Sequence, residues 1–320
     1  MAQPAAARKT GASIADRLLA WYDRHHRDLP WRTTPLALAK GARPDPYHVW
    51  LSEIMLQQTT VEAVKPYFRK FLENWPTVND LAAASQDDVM KAWAGLGYYS
   101  RARNLKKCAD AIAMLPGHGF PDTEEGLRTL PGVGAYTAAA IAAIAFDKPA
   151  VVVDGNVERV MTRLYAIATP MPDAKAEVRV ALTPLVPLVR PGDFAQAMMD
   201  LGATICTPKR PKCMLCPLQD DCHAVRGGDP EFYPVKAAKA DKPLRRGAAF
   251  VAVRRQDGAV LLAKRPNEGL LGGMSGPPTT SWTSRQDGAT GPDAAPFAAD
   301  WRVAGTVSTT SMSASVTCRL

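Results

Sequence analysis

From Ile14 to His26 the apolar residues fall at Ile14, Leu18, Leu19, Trp21 and Tyr22, the spacing of one buried helix face. The Pro-rich stretch LPWRTTPLALAKGARPDP then breaks the pattern and reads as a loop. Helical spacing returns from Tyr47 to Trp75 and predicts one or two helices. The segment from Pro76 to Leu115 predicts a capped helix, a turn at Gly95 to Gly97, and another helix. More helices are expected from Thr123 to about Leu201. Strand-like alternation is scarce, so roughly the first 220 residues read as all-helical. AVRGGDPEFYPVKAAKADKPLRRG has no period and is rich in Gly, Pro and charge, which predicts a linker. After it, AAFVAVRRQDGAVLLAKRP holds two apolar β-type runs around Asp257-Gly258, a hairpin signal. The expected organisation is a flexible tail at 1–13, a helical domain at 14–223, a linker at 224–245 and an α+β domain at 246–320.

The length of 320 residues allows two such domains, and 47% hydrophobic residues is ordinary for a globular chain. No apolar run reaches the ~18 residues of a membrane span, and the start lacks the apolar core of a signal peptide. A cytoplasmic, nucleoid-associated monomer with no membrane contact is expected. The net charge of +8 favours a polyanionic partner, or simply aids solubility.

The stretch LRTLPGVGAYTAAAIAAIAFDKPAVVVDGN places a Gly-rich turn before an Ala-rich helix. It lacks the third glycine of a dinucleotide fingerprint, since that position is Thr137, and the Lys-Ser/Thr pair of a P-loop. Helix, tight turn, helix remains. Gly132 and Gly134 permit positive φ, and the N–H groups at the start of the second helix can bind a phosphate. A plain αα-corner without ligand fits the same residues.

Four of the six cysteines, Cys206, Cys213, Cys216 and Cys222, crowd into one loop with the spacing Cys-x6-Cys-x2-Cys-x5-Cys. Metal ligation explains this better than disulfides in a cytosolic protein. Thiolate ligation in so compact a loop suits a [4Fe–4S] cluster. Structural zinc, which commonly uses two separated Cys-x2-Cys pairs, is the alternative.

LPGVGAYTAAAIA, VDGNVERV and the four-cysteine loop together resemble the helix-hairpin-helix DNA glycosylase superfamily. LPWR, DPYHVWLSEIMLQQTTVEAVKPYF and GLGYYSRARNL resemble its MutY-type adenine DNA glycosylases, and the resemblance covers about Trp21 to Cys222. It implies a mainly α, two-lobed glycosylase fold with a [4Fe–4S] loop, followed by an incomplete α+β Nudix-like domain. The implied substrate is duplex DNA with adenine opposite 8-oxoguanine or guanine, the adenine being flipped out and its glycosidic bond hydrolysed. Glu53 matches the catalytic acid and Asp154 the second carboxylate, which offsets charge on the sugar. Asp154 also reads as a helix N-cap. Tyr136 stands where strand-cleaving relatives such as endonuclease III carry a Schiff-base Lys, so hydrolysis without efficient strand cleavage is expected. Asn156 and Arg32 match positions near the sugar and the flipped adenine. Gln58 and Tyr98 match residues that wedge into the duplex, and Gly132 and Gly134 the phosphate-binding hairpin. Asp200 stands where many relatives have Glu against the adenine, and its shorter reach is a departure. The insertion TTPLALAKGAR is another.

LLAKRPNEGLLGGM resembles the start of the family's 8-oxoguanine-reading domain, but GTVSTTSMSASVTCRL lacks the His and Phe of its recognition loop. One reading is a frameshift, because the codons of Val307 to Ser311 can encode Val-His-His-Phe in a neighbouring frame; genuine divergence is the alternative. Weakened preference for 8-oxoguanine over guanine is expected. The linker is a place where replication or repair partners would bind. Two rival functions remain: a bifunctional endonuclease III-like glycosylase/lyase, and a catalytically inactive DNA-binding iron–sulfur protein.

Overall fold

Short polar side chains start most of the helices. Ser13, Thr34, Asp45, Thr60, Thr77, Ser85, Thr123 and Asp154 each accept a hydrogen bond from a backbone N–H in the first turn that follows. In this computed structural model the residues described are 12–237, 244–266, 272–283, 286–303, 305, 307–308 and 313–316. They fall in two units, residues 1–237 and 238–320.

The first unit is helical: α1 (Ile14–His25), α2 (Pro35–Ala39), α3 (Pro46–Leu56), α4 (Val61–Asn74), α5 (Val78–Ala83), α6 (Gln86–Trp93), α7 (Ser100–Ala113), α8 (Glu124–Arg128), α9 (Ala135–Phe146), α10 (Gly155–Leu164), α11 (Lys175–Leu182), α12 (Pro191–Thr204) and α13 (His223–Arg226). One lobe packs α3 with α4 and α7, α4 with α6, and α7 with α5 and α6. The other packs α12 against α1 and α10, with α11 and α13 on α10. Helix α9 joins them, touching α3 and α8 on one side and α12 on the other. Its buried positions are Thr137, Ala138, Ala139, Ala140, Ile141, Ala142 and Ala143. Small side chains let three neighbours approach one axis, which is why the Ala run belongs here and not in a membrane. Among the described residues no helix is long and apolar enough to cross one.

Two expectations change. The Pro-rich stretch after Trp31 contains a short helix, α2, because Thr34 caps it and Pro35 sits at its first position, where a missing N–H costs nothing. The expected linker at 224–245 falls partly in the first unit and partly on residues 238–243, which lie outside the described residues. Residues 224–237 belong to the helical unit, pinned where Arg163 Nε donates to Tyr233 O at 3.1 Å and Met171 N donates to Val235 O at 2.9 Å. These are backbone acceptors, invisible to a reading of side-chain type.

The second unit has short strands: β1 (Ala248–Ala249), β2 (Ala263–Lys264), β3 (Ser275–Gly276), β4 (Val307–Ser308) and β5 (Ser313–Val316). β5 lies between β1, parallel to it, and β4, antiparallel; β2 and β3 pair antiparallel. The turn at Asp257-Gly258 forms, with Gly258 at φ 72° and Val253 opposite Val260. Phe250 is buried, edge-on to Trp301 at 5.3 Å. Residues 1–11 of the expected tail, and residues 309–312 and 317–320 with Cys318, lie outside the described residues.

Candidate active site

Helix α3 is buried along nearly its whole length, from Tyr47 through Met55, because it runs through the core of its lobe. Glu53 sits in that run, 7% exposed. An ordinary surface glutamate is therefore excluded. Its side chain reaches a cavity of about 370 Å³ between the lobes, lined also by Arg32, Gln58, Tyr136, Asp154 and Asn156. Six residues selected from the sequence thus share one cavity, although they come from α3, α9, the start of α10 and two loops.

Burial pushes the Glu53 carboxyl up to about 7. The Tyr136 hydroxyl donates to it and lowers its pKa, while the nearby Asp154 raises it and Arg32 lowers it. Removal from water outweighs the partners, as expected for a carboxyl in an apolar helix. Burial, with Glu53 and Asp154 nearby, also holds the Tyr136 phenol well above its usual range. At neutral pH the cavity thus contains a carboxyl poised between its two states, backed by a neutral phenol.

Asp154 caps α10. Its Oδ1 accepts from Val157 N at 2.7 Å and its Oδ2 from Asn156 Nδ2 at 2.8 Å. Both oxygens are thus oriented before any ligand arrives. The amide of Asn156 is set in turn by Arg159, whose Nη2 donates to Asn156 Oδ1 at 2.8 Å and to Gly202 O at 2.7 Å. Arg159 Nε donates to Cys206 O at 2.7 Å. One guanidinium therefore ties the cavity carboxylate's partner to the first cysteine of the loop. Gly202 permits this, since a Cβ there would lie 2.6 Å from Asn156 Cβ.

Asp200 is not on the cavity wall. It is fully buried, and both oxygens are taken: Oδ2 by Arg32 Nη1 at 2.7 Å and Arg27 N at 2.9 Å, Oδ1 by Arg27 Nε at 2.5 Å. Burial works against its charge, but Arg32 and Arg27 hold its pKa below the usual carboxylate value. Asp200 thus holds Arg32, which does face the cavity. The shorter Asp side chain stops at the arginines.

Gly132 adopts φ 77°, as the hairpin requires. Gly134 does not. It caps α9 in an extended conformation, φ −85°, and a Cβ there would meet nothing within 4 Å. Its bare backbone leaves open space outside the turn. Gln58 and Tyr98 are both left-handed, at φ 57° and 45°, which costs about 1 kcal/mol each for residues with a Cβ. Tyr98 is 59% exposed and does not line the cavity.

The four loop cysteines are partly buried and form no disulfide, and Arg163 Nη1 donates to Cys206 Sγ at 3.3 Å. Burial raises the thiols of Cys216, Cys213 and Cys222. Four cysteine side chains on one short loop are a thiolate donor set that fits an iron–sulfur cluster.

Sequence reasoning missed Arg27, Gln196 and Ser52, which also line the cavity, and Arg159. The signal for Arg159 was its place three residues after Asn156, one helical turn along the same face. Arg27 carried none, since its partner lies 173 positions away.

Residues 51–187 match the HhH-GPD superfamily base excision DNA repair protein family, and residues 206–222 match the iron-sulfur binding domain of endonuclease III. The second match makes the cysteine loop an iron–sulfur site, whose cofactor is a [4Fe–4S] cluster. The adenine DNA glycosylase of Mycobacterium tuberculosis is 42% identical over 244 residues, covering 75% of this chain and 74% of that protein. The adenine DNA glycosylase of Homo sapiens is 40% identical over 316 residues, covering 83% of this chain and 57% of that protein. The chain thus spans less than two thirds of the human relative. Among solved structures, a thermostable thymine-DNA glycosylase superposes with a TM-score of 0.57 at 31% identity, covering 67% of this chain and 95% of that one. An endonuclease III–DNA covalent intermediate shares the fold, with a TM-score of 0.54 at 24% identity over 67% of this chain and 94% of that one.

Proposed function

The chain belongs to the adenine DNA glycosylase family, and from that premise we propose that it hydrolyses the N-glycosidic bond of adenine mispaired with 8-oxoguanine or guanine in duplex DNA, as a step of base-excision repair. The observation that carries this reading is the protonatable Glu53 buried in a cavity that also holds Asp154.

The flipped adenine enters the cavity, where Arg32, held by Asp200, is a fixed donor for its ring edge. Adenine is a poor leaving group until a ring nitrogen is protonated. Glu53 supplies that proton, and the electron pair of the glycosidic bond leaves with the base. The sugar becomes oxocarbenium-like, and the Asp154 carboxylate, held by Val157 N and Asn156, offsets its positive charge. Water adds to C1′ and returns its proton to Glu53. Tyr136 keeps Glu53 oriented, and a phenol in place of an amine gives no Schiff base, so the strand stays intact. Cys206, Cys213, Cys216 and Cys222 would hold the cluster, which would supply iron–thiolate bonds across the loop, while Arg159 and Arg163 donate to the loop carbonyls of Cys206 and Thr207. Gly132, Gly134, Gln58 and Tyr98 are the proposed DNA contacts.

The test is release of free base from duplexes with A opposite 8-oxoguanine, A opposite G, A opposite T, and T opposite G, each scored for breaks with and without alkali. Free adenine from the first two duplexes, and breaks only after alkali, are expected. Thymine release would replace the substrate with that of the thymine-DNA relative. Breaks without alkali would replace hydrolysis with lyase chemistry.

A further inference from the structure

Arg101 is buried, 7% exposed, its side chain running between two turns at the C-terminal end of α3. Its Nη1 donates to Ile54 O at 3.1 Å, Met55 O at 2.8 Å and Gln57 O at 2.6 Å. Its Nη2 donates to Thr59 Oγ1 at 3.1 Å, Leu96 O at 3.0 Å and Gly97 O at 3.4 Å. The guanidinium also lies over the rings of Trp93, at 5.1 Å, and Tyr98, at 5.6 Å. Among the described residues it forms no ion pair with a carboxylate. Its charge rests on carbonyl oxygens, including those at the negative end of α3, and on two aromatic faces.

The two turns it joins are those of Gln58 and Tyr98. Each presents a side chain with a Cβ in the left-handed region, where such residues seldom sit. Strain of that kind persists only where the surroundings enforce it. Each turn has a local backbone bond, Thr59 N to Leu56 O at 3.2 Å and Arg101 N to Tyr98 O at 2.9 Å, but neither bond links one turn to the other. Arg101 binds both from between.

We propose that Arg101 is a positioning residue for the wedge: it holds Gln58 and Tyr98 in one fixed pair, so that the exposed Tyr98 ring and the Gln58 amide enter the base stack together when the adenine leaves it. This rests on the functional reading above, in which both residues contact the duplex. Lysine cannot replace arginine here, since one ammonium has three donors and no plane to lay on two rings.

The test uses the full, cluster-loaded chain and a duplex with 2-aminopurine opposite guanine. The fluorescence rise at saturating protein reads unstacking and needs no bond cleavage. It is measured for wild type, Arg101→Lys, Tyr98→Ala with Gln58→Ala, and all three changes together. Arg101→Lys is expected to weaken unstacking about tenfold in the wild-type background and less than about twofold where the wedge is already removed, the non-additivity of groups acting as one unit. The pH dependence of adenine release is expected to keep its shape, since Glu53 is untouched. An equal loss in both backgrounds, or no loss in either, would overturn the proposal. Should Arg101→Lys not fold, Thr59→Val removes one acceptor of Arg101 together with the long bond that the hydroxyl donates to Gln57 O at 3.4 Å, and enters the same cycle with a smaller effect: a loss confined to the wild-type background supports the proposal, and an equal loss or none overturns it. A wild type that unstacks the base and releases no adenine counts against the catalytic reading and leaves the cycle decisive for Arg101.

Discussion

At the scale of single residues, Glu53 matters most. Its carboxyl titrates near 7 in the folded chain and at 4.5 when exposed. Below pH 4.5 both states hold the proton. As pH rises from 4.5 to about 7 the unfolded chain loses it and the folded chain keeps it, so stability falls by up to about 3 kcal/mol and is flat above. Glu53→Gln, which cannot ionise and can still accept from Tyr136, is expected to match wild type in chemical denaturation at pH 4 and exceed it at pH 8. Equal stability of the two at pH 8 would show that Glu53 ionises freely. Glu53 was legible in the sequence because its burial follows from its own apolar neighbours on α3. Asp200 was not. Its role is set by Arg27 and Arg32, which reach it from 173 and 168 positions away, and no local pattern announces such a pair.

Among the elements, the approach of α10 to α12 decides whether the cavity carboxylate is aimed. Gly202→Ala places a methyl 2.6 Å from Asn156 Cβ, with the Asn156 backbone close behind. The helices must separate, which is expected to cost about 1–3 kcal/mol in unfolding free energy and to slow adenine release while leaving duplex binding near wild type. Arg159→Met strips the donor from Gly202 O, Cys206 O and Asn156 Oδ1 together. Single-turnover rates should fall by at least about tenfold, as for loss of a hydrogen-bonded orienting group, with slower recovery of cluster-loaded protein. A rate unchanged by either substitution would detach Asp154 from this scaffold. Most helices were legible, because polar caps and apolar spacing agree, as at Thr77 and Asp80. The start of α9 differs in one detail: Gly134 has no positive φ, and a Cβ there would meet nothing within 4 Å. Sequence marks a glycine but does not say which property is used.

For the whole molecule, charge and the cluster loop matter most. The net charge is +8, and Lys209, Arg210 and Lys212 are exposed on the cysteine loop beside exposed Met214 and Leu215. Affinity for duplex DNA is expected to drop by about 100-fold or more between 50 and 200 mM salt. Replacing the three loop cations with Gln should reduce the slope of log affinity against log salt by about 1 for each phosphate that the loop no longer neutralises. An unchanged slope would place the loop away from the DNA backbone. The division into units was half legible. The change from helical to β-type patterning was plain, but residues 224–237 are held by backbone contacts to Arg163 and Met171, which composition cannot show.

All of the proposed chemistry depends on a buried, protonated Glu53 driving departure of the base. The most direct measurement is the single-turnover rate of adenine release from an A:G duplex across pH 5 to 9, for wild type and Glu53→Gln. The expected wild-type rate is level below about pH 7 and falls tenfold per pH unit above it, with Glu53→Gln slower by about 100-fold or more at every pH. A wild-type rate that rises through pH 7, or a Glu53→Gln rate near wild type, would contradict it.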